Sequence, residues 1–230
     1  MITTPDDRLQ PLLTADGSHT LLHPILKEYY HSLQGSLQES IHIFINLGLK
    51  PLLETASEGT AIRIFEMGFG SGLNALLSWK LADELQKKVE YTGIEAYPIT
   101  LEASKLLNYE QLTGKEGLST LHNTPWGEAG TLSPYFTFQK IECFFEDYRG
   151  EGRYHVIFFD AFAPEAQPEL WTSEIFHRLG NRMIEGGYLV TYSSKGSVRR
   201  ALKEAGFTVE KHPGPGRKRE VVRAIWPHSG

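Results

Sequence analysis

From residue 61 onward the chain alternates short apolar runs with stretches whose apolar residues return every third or fourth position. A short apolar run fits a buried strand, and the longer spacing fits a helix with one face inward. Strands are therefore expected at residues 61–67, 89–95, 136–142, 154–160, 187–192, 207–211 and 221–226, and helices at 73–88, 100–112, 172–182 and 197–205. In the first of these helices Leu73, Leu76, Leu77, Leu81 and Leu85 share the inward side. Residues 154–160 are nearly all apolar, as in a parallel strand covered on both faces. Strands separated by helices predict an α/β domain on a parallel sheet, with helices on both faces. The last two strands have no helix between them and predict a hairpin.

Residues 1–60 lack this alternation and are expected to form a small N-terminal extension packed on a core domain of residues 61–230. Within the extension, residues 18–22 suit a short strand or a hairpin arm. Residues 36–47 suit a helix that buries Leu37, Ile41, Phe44 and Ile45, and 57–60 make a polar break. Residues 113–134 are rich in Gly, Thr, Ser and Pro; so long a connection is expected to hold a short helix or to form part of a lid.

The first candidate chemistry lies in the loop Glu66-Met67-Gly68-Phe69-Gly70-Ser71-Gly72, between a predicted strand and a predicted helix. Glycines there let the backbone turn tightly and approach a ligand with no Cβ in the way. A dinucleotide loop spaces them G-x-G-x-x-G and sets a pyrophosphate on the helix N-terminus. Here the third glycine comes one position early, at Gly72, and Leu73 stands where the dinucleotide loop has its glycine. The spacing, with an acid before it, is similar to the loop that binds S-adenosylmethionine (SAM). The carboxylate of SAM suits backbone N–H groups and the helix dipole; its ammonium suits Glu66, directly or through water. Glu95 ends the second strand, where an acid accepts hydrogen bonds from ribose hydroxyls, and Ala96 and Tyr97 would then flank the adenine. Two such parts at this separation carry more weight than a glycine loop alone. The fold class that follows is α/β, the Rossmann-like seven-stranded SAM-dependent methyltransferase fold.

Ligands of such sheets sit beyond the carboxyl ends of the strands, where strand order reverses. That crevice is expected between the strands ending at Met67 and Asp160. An aspartate after Val156-Ile157-Phe158-Phe159 is costly to bury unless it is satisfied or works at the strand end. Asp160 is therefore the candidate catalytic group, with capping of the next turn as the structural alternative. Phe162, Pro164 and Trp171 offer surface on which a splayed-out base can stack; core packing is the alternative for Trp171.

A net charge of −5 argues against a polyanionic partner until its distribution is read. Residues 195–223 hold nine Lys and Arg against three acids, a local +6 that leaves −11 on the rest. Such asymmetry suits a phosphate-binding face on an otherwise acidic protein, against the competing reading of a solvated surface. The single cysteine, Cys143, excludes an internal disulfide and a cysteine-rich zinc site, and no metal is expected. That cysteine count suits a cytoplasmic protein. No apolar run approaches the roughly 20 residues that span a bilayer, and the start lacks the basic-then-apolar order of a secretion signal.

Asp160-Ala161-Phe162-Ala163-Pro164 continues as Glu165-Ala166-Gln167-Pro168-Glu169-Leu170-Trp171. This run resembles the signature D-[AG]-F-A-P-x-x-x-P-x-[ML]-W of the methyltransferase domain of the MnmC family, which acts on the tRNA wobble uridine. Tyr30-His31-Ser32, Gly68 through Asn74, and Lys218-Arg219-Glu220 after Gly214-Pro215-Gly216-Arg217 agree as well, so the resemblance runs from about Asp16 to Trp226. It implies SAM-dependent N-methylation of 5-aminomethyl-(2-thio)uridine in tRNA, and a functional link to the enzymes that install the aminomethyl group. No FAD-dependent oxidase domain follows, so a stand-alone form is expected. In this resemblance Asn74 joins the cofactor set, and Tyr30 and Ser32 either close over SAM or are structural. Asp160 would position the amine and accept its proton. Lys195, Arg199, Arg217, Lys218 and Arg219 are candidate phosphate contacts, and residues 193–196 would border the substrate mouth.

Two positions depart from the family pattern. Phe144 stands where the family has an acid near the adenine, so either Glu142 substitutes or aromatic packing and backbone N–H groups hold the ring. Gly214-Pro215-Gly216 replaces a frequent Gly-Phe-Gly. The competing readings are a SAM methyltransferase acting on a small molecule or protein amine, a polyamine synthase using decarboxylated SAM, and a non-enzymatic tRNA-binding module. The run from Asp160 to Trp171 argues against the polyamine synthase, and the intact Gly68, Gly70, Gly72, Glu95 and Asp160 argue against the binding module. The oligomeric state stays open.

Overall fold

A computed structural model describes residues 10–23, 26–216 and 218–227. The chain enters through a small antiparallel ribbon, β1 (Pro11–Leu13) against β2 (His19–Leu21). A bridge between Leu22 and Tyr29, and a bond from the Tyr30 N–H to the Leu21 carbonyl (2.9 Å), fold the next residues back along β2. A helix follows in three parts: α1 (Ser36–Ser40), a π-helical segment (Ile41–Leu49) and α2 (Lys50–Thr55). Gly48 lets this helix lie close on the sheet, since a Cβ there would sit 3.1 Å from both Phe158 and Val190.

The sheet contains β3 (Ile62–Met67), β4 (Val89–Glu95), β5 (Ala129–Ser133), β6 (Phe136–Glu142), β7 (Tyr154–Phe159), β8 (Met183–Thr191), β9 (Thr208–Pro213) and β10 (Glu220–Ile225). Their order is β5-β6-β4-β3-β7-β8-β10-β9. From β6 to β8 all neighbours are parallel, and β10 runs antiparallel to both β8 and β9. All seven expected strands are present. The eighth, β5, pairs antiparallel with β6 at the sheet edge and has a register shift between Thr131 and Ser133. It lies in the stretch expected to be a connection, which also holds the short helix α6 (Leu118–Asn123).

The crossover helices are α3 (Leu73–Leu85), α4 (Leu101–Ser104), α5 (Tyr109–Thr113), α7 (Ser173–Gly180) and α8 (Gly196–Glu204). The single helix expected over residues 100–112 is thus two. Asn108 interrupts it, because its side chain accepts from the His19 N–H (2.9 Å) and donates to the Gly17 carbonyl (2.8 Å), pinning the break to the N-terminal ribbon.

Residues ahead of β3 share a core with the sheet: Leu21, Phe44 and Leu49 are buried in one cluster with Leu76, Tyr91 and Phe158. Helices α7 and α8 cover the opposite face over Phe65, Ile157 and Leu189. Each fully buried side chain of this kind contributes about 1.5–3 kcal/mol. Among the described residues no helix is long and apolar enough to cross a membrane. Strand order reverses at β3, which has β4 on one side and β7 on the other, so the carboxyl ends of these three strands frame the expected crevice.

Candidate active site

The loop after β3 is shaped by two close approaches. Gly68 has φ +91°, and a Cβ on it would lie 2.8 Å from the Asp160 carbonyl oxygen. Gly70 has φ +49°, and its Cβ would lie 3.1 Å from the Tyr30 ring. Both positions need the conformational freedom and the missing side chain of glycine. Glu95, at the end of β4, ties the loop down: its carboxylate accepts from the Gly70 N–H (2.8 Å) and from the Tyr97 N–H (2.9 Å). Burial raises its pKa, and these backbone donors work against that rise. The N-terminal segment buttresses the same loop. His31 Nε2 hydrogen-bonds Ser71 Oγ (2.7 Å), and burial pushes the His31 pKa down to about 4, which keeps the ring neutral.

Asp160 follows β7, and its N–H donates to the Met67 carbonyl (3.0 Å). The next residues are held by their carbonyls: the Trp171 indole N–H donates to that of Phe162 (2.8 Å) and the Tyr192 hydroxyl to that of Ala161 (2.9 Å). The Phe162 N–H donates to the Gln167 side chain (3.1 Å). Asp160 Oδ2 accepts from Asn74 Nδ2 (2.8 Å), and the same nitrogen donates to Glu66 Oε1 (2.9 Å). Burial first, then the charge of Glu39, raises Asp160 from an ordinary 3.8 to about 7, opposed by the Asn74 bond and the Lys218 charge. Lys218 forms an ion pair with Glu39 and lies 4.8 Å from the centre of the Tyr192 ring.

Between these walls is a cavity of about 300 Å³ that takes in the glycine loop, Glu95, Asp160 and the N-terminal Tyr30–Ser32. Phe162 meets Tyr30 edge to face at 5.1 Å, and Tyr97 meets Phe144 at 5.7 Å, giving the cavity two aromatic flanks.

Residues 138–227 match the model of a family of S-adenosyl-L-methionine-dependent methyltransferases. The crystal structure of MNMC2 from Aquifex aeolicus is 30% identical, with a TM-score of 0.74 over 96% of this chain and 73% of that one. The chain belongs to the MnmC-type family of SAM-dependent methyltransferases. It is also 29% identical to the tRNA 5-methylaminomethyl-2-thiouridine biosynthesis bifunctional protein MnmC of Pseudomonas savastanoi pv. phaseolicola, over 87% of this chain and 33% of that protein. The protein of the same name from Nitrosospira multiformis is 31% identical, over 87% of this chain and 34% of its own length. The chain therefore spans about a third of the length of these curated relatives.

The cavity fits the family's cofactor. Glu95 offers a buried carboxylate at its wall, Gly68 and Gly70 present bare backbone, and Ala96, Tyr97 and Phe144 line an aromatic slot. Of the residues expected from sequence, Gly68, Phe69, Gly70, Asn74, Glu95, Ala96, Tyr97, Phe144, Tyr30, Asp160, Phe162 and Lys218 line this one cavity.

Other expected residues lie elsewhere. Glu66 is fully buried behind Asn74 and has no face on the cavity, so it is not placed to touch an ammonium there. Gly72 (φ +79°) turns its Cα toward His122 and Leu118 and serves the packing of α6. Glu142 is exposed at the end of β6 and takes no part in the cavity wall, which leaves Phe144 and not an acid on that side. Trp171 has no free face for a stacked base: it is buried against Phe159 (4.8 Å) and Tyr192 (5.8 Å). Pro164, Lys195, Arg199 and Arg219 lie outside the cavity. Lys195 pairs with Glu165, and Arg199 keeps Nε buried without a hydrogen-bond partner among the described residues. Arg217 lies outside the described residues.

Several wall residues carried no signal of their own in the sequence. Glu39, Tyr192 and Gln167 reach the cavity from three separate elements. For His31 the signal was its place in the shared Tyr30-His31-Ser32 stretch.

Proposed function

We propose that this chain methylates the aminomethyl nitrogen of 5-aminomethyl-(2-thio)uridine at the tRNA wobble position. The observation that carries the reading is Asp160, a carboxylate with a pKa raised to about 7 that lines one cavity with Phe162, the adjoining glycine loop and Glu95. When bound, SAM supplies a methyl group that an amine can take in line. In this reading Glu95 holds the ribose, the loop backbone holds the amino-acid end, and Tyr97 and Phe144 flank the adenine. The described residues of the N-terminal extension add Tyr30 and His31 to the cavity lining. An aliphatic amine arrives largely protonated at neutral pH and reacts only when neutral. Asp160 Oδ2 is engaged by Asn74, which leaves Oδ1 to orient the amine and accept its proton. A base with a pKa near the working pH is well matched to that task. Phe162 offers its ring to the uracil.

A second reading, methylation of a small-molecule or protein amine, is favoured by one observation. Lys195, Lys211, Lys218 and Arg223 of the basic segment are each paired with a glutamate, which thins the phosphate-binding face. Incubating the protein with SAM and tRNA that lacks the terminal methyl group, followed by mass analysis of the nucleosides, separates the two. The tRNA reading expects 5-methylaminomethyl uridines and binding that weakens steeply with salt. Methylation of small amines alone, insensitive to salt, supports the second reading.

A further inference from the structure

We infer that Glu66 is a positioning residue that acts on Asp160 through Asn74, from the protein interior. This rests on Asp160 being the acceptor-side carboxylate of the methyltransferase site. Both hydrogens of Asn74 Nδ2 are committed, one to Glu66 Oε1 (2.9 Å) and one to Asp160 Oδ2 (2.8 Å). A planar amide held at both N–H bonds cannot turn, and turning it would set Oδ1 against the two carboxyl groups. Asn74 Oδ1 is buried without a partner among the described residues, so nothing on that side of the amide fixes its orientation. Glu66 supplies the fixed point, from a strand where it is 0% exposed.

Two carboxyl groups share one neutral amide, with no cation bonded to either among the described residues, and both do not ionise together at low cost. Glu66 is the deeper of the pair. Burial, together with the charge of Asp160, raises its pKa well above the ordinary range. That shift favours its protonated form over what an ordinary carboxyl group would hold, and Oε2 lies on the side of the buried Tyr91 hydroxyl. A neutral acid anchors Asn74 without adding charge beside the reacting amine, and glutamine reproduces both properties.

The test compares Glu66→Leu, Glu66→Gln and Asn74→Ala in SAM affinity by calorimetry, in single-turnover rate at saturating SAM, and in the ionisation midpoint of Asp160. In variants that keep Asn74, the midpoint is read from the pH dependence of the Asn74 side-chain amide signal by NMR. In Asn74→Ala it is read from the acid limb of the rate profile. Glu66→Leu is expected to slow transfer by about tenfold to a hundredfold, the scale of a misplaced catalytic group, with SAM affinity retained and the midpoint raised as the Asn74 bond loosens. Asn74→Ala is expected to slow transfer and raise the midpoint in the same way. Glu66→Gln is expected to restore most of the lost rate and to bring the midpoint back near 7. The inference is overturned if Glu66→Gln weakens SAM binding tenfold, which makes Glu66 a cofactor ligand, or lowers the midpoint by a unit, which makes it ionised. A folded Glu66→Leu protein with the wild-type midpoint also overturns it. The calorimetric and NMR readouts need no acceptor, so they decide the inference even if RNA proves not to be the substrate.

Discussion

The two walls of the cavity are built by different means. On the side proposed to take the cofactor the polar surface is mostly backbone: glycines at positive φ, N–H groups held in place by Glu95, and a loop braced by Ser71 and His31. On the side proposed to take the acceptor the polar groups are side chains, with Asp160 under the opposed charges of Glu39 and Lys218 and sharing the cavity with the rings of Phe162 and Tyr192. On the backbone wall, N–H donors hold Glu95 and work against the rise that burial gives its pKa. The wall with Asp160 keeps a buried carboxylate near its titration point, which costs stability and, in the proposed reading, leaves a proton acceptor in place. A recognition surface can be settled before the ligand arrives, whereas a proton-transfer surface has to stay partly unsatisfied.

The sharpest way to break this contrast is Asp160→Asn. Transfer is expected to fall by roughly 10²–10⁴-fold, the usual contribution of a positioned acid–base group, while melting temperature rises. The sign follows from linkage. The folded protein binds the Asp160 proton more tightly than the unfolded chain, so this group contributes stability at low pH that is lost as pH rises from about 3.8 to about 7. Asparagine does not titrate, so its thermal advantage should be larger at pH 8 than at pH 5. A melting temperature that falls equally at both values would turn Asp160 into an ordinary turn cap.

Glu95→Ala tests the other wall. Lost hydrogen bonds to a charged acceptor are worth about 1.5–3 kcal/mol, so SAM affinity should fall by roughly tenfold to a hundredfold. Turnover at saturating SAM should change much less. An unchanged affinity in the folded variant, measured by calorimetry, would remove Glu95 from the cofactor wall. Phe162→Ala belongs to the acceptor wall and should weaken RNA binding by about tenfold, the low end of one base–aromatic stack. Trp171→Phe should lower melting temperature, because its indole N–H serves the Phe162 carbonyl, and should weaken RNA binding less than Phe162→Ala does.

How much of this was legible in the sequence follows the same division. The backbone wall is contiguous: Gly68, Gly70 and the capping end of β3 stand in one short motif, and Glu95 closes the next apolar run. The run from Asp160 to Trp171 is contiguous too, although only the structure separates its half-buried cavity-lining ring, Phe162, from its buried anchor, Trp171. Glu66 looked like a cofactor ligand because it adjoins the loop, but it is buried behind Asn74. The basic segment was visible as charge, but two of the glutamates that neutralise it, Glu39 and Glu165, lie outside the segment. Strand β5, Ala-Gly-Thr-Leu-Ser, has no apolar alternation because it forms an edge. The helix expected over residues 100–112 had a sound period but was broken by Asn108, whose partners are Gly17 and His19.

The smallest expected effect gives the finest test of the acceptor wall. Glu39 and Lys218 form one ion pair, yet their charges act on Asp160 with opposite signs, Glu39 raising its pKa and Lys218 lowering it. Glu39→Gln should therefore lower the Asp160 midpoint, and Lys218→Met should raise it, each by about one unit or less, which corresponds to roughly 1.4 kcal/mol at most. Either substitution breaks the pair, so an effect that came only from opening the mouth of the cavity would move both midpoints the same way. The Asn74 side-chain amide signal, followed against pH without substrate, reports the direction in each variant. Added salt should shrink both shifts, and more for Lys218, whose side chain is 31% exposed against 12% for Glu39. Shifts of the same sign would mean that the acceptor wall is tuned by access to water, and the contrast between a satisfied wall and a charged one would have to be redrawn.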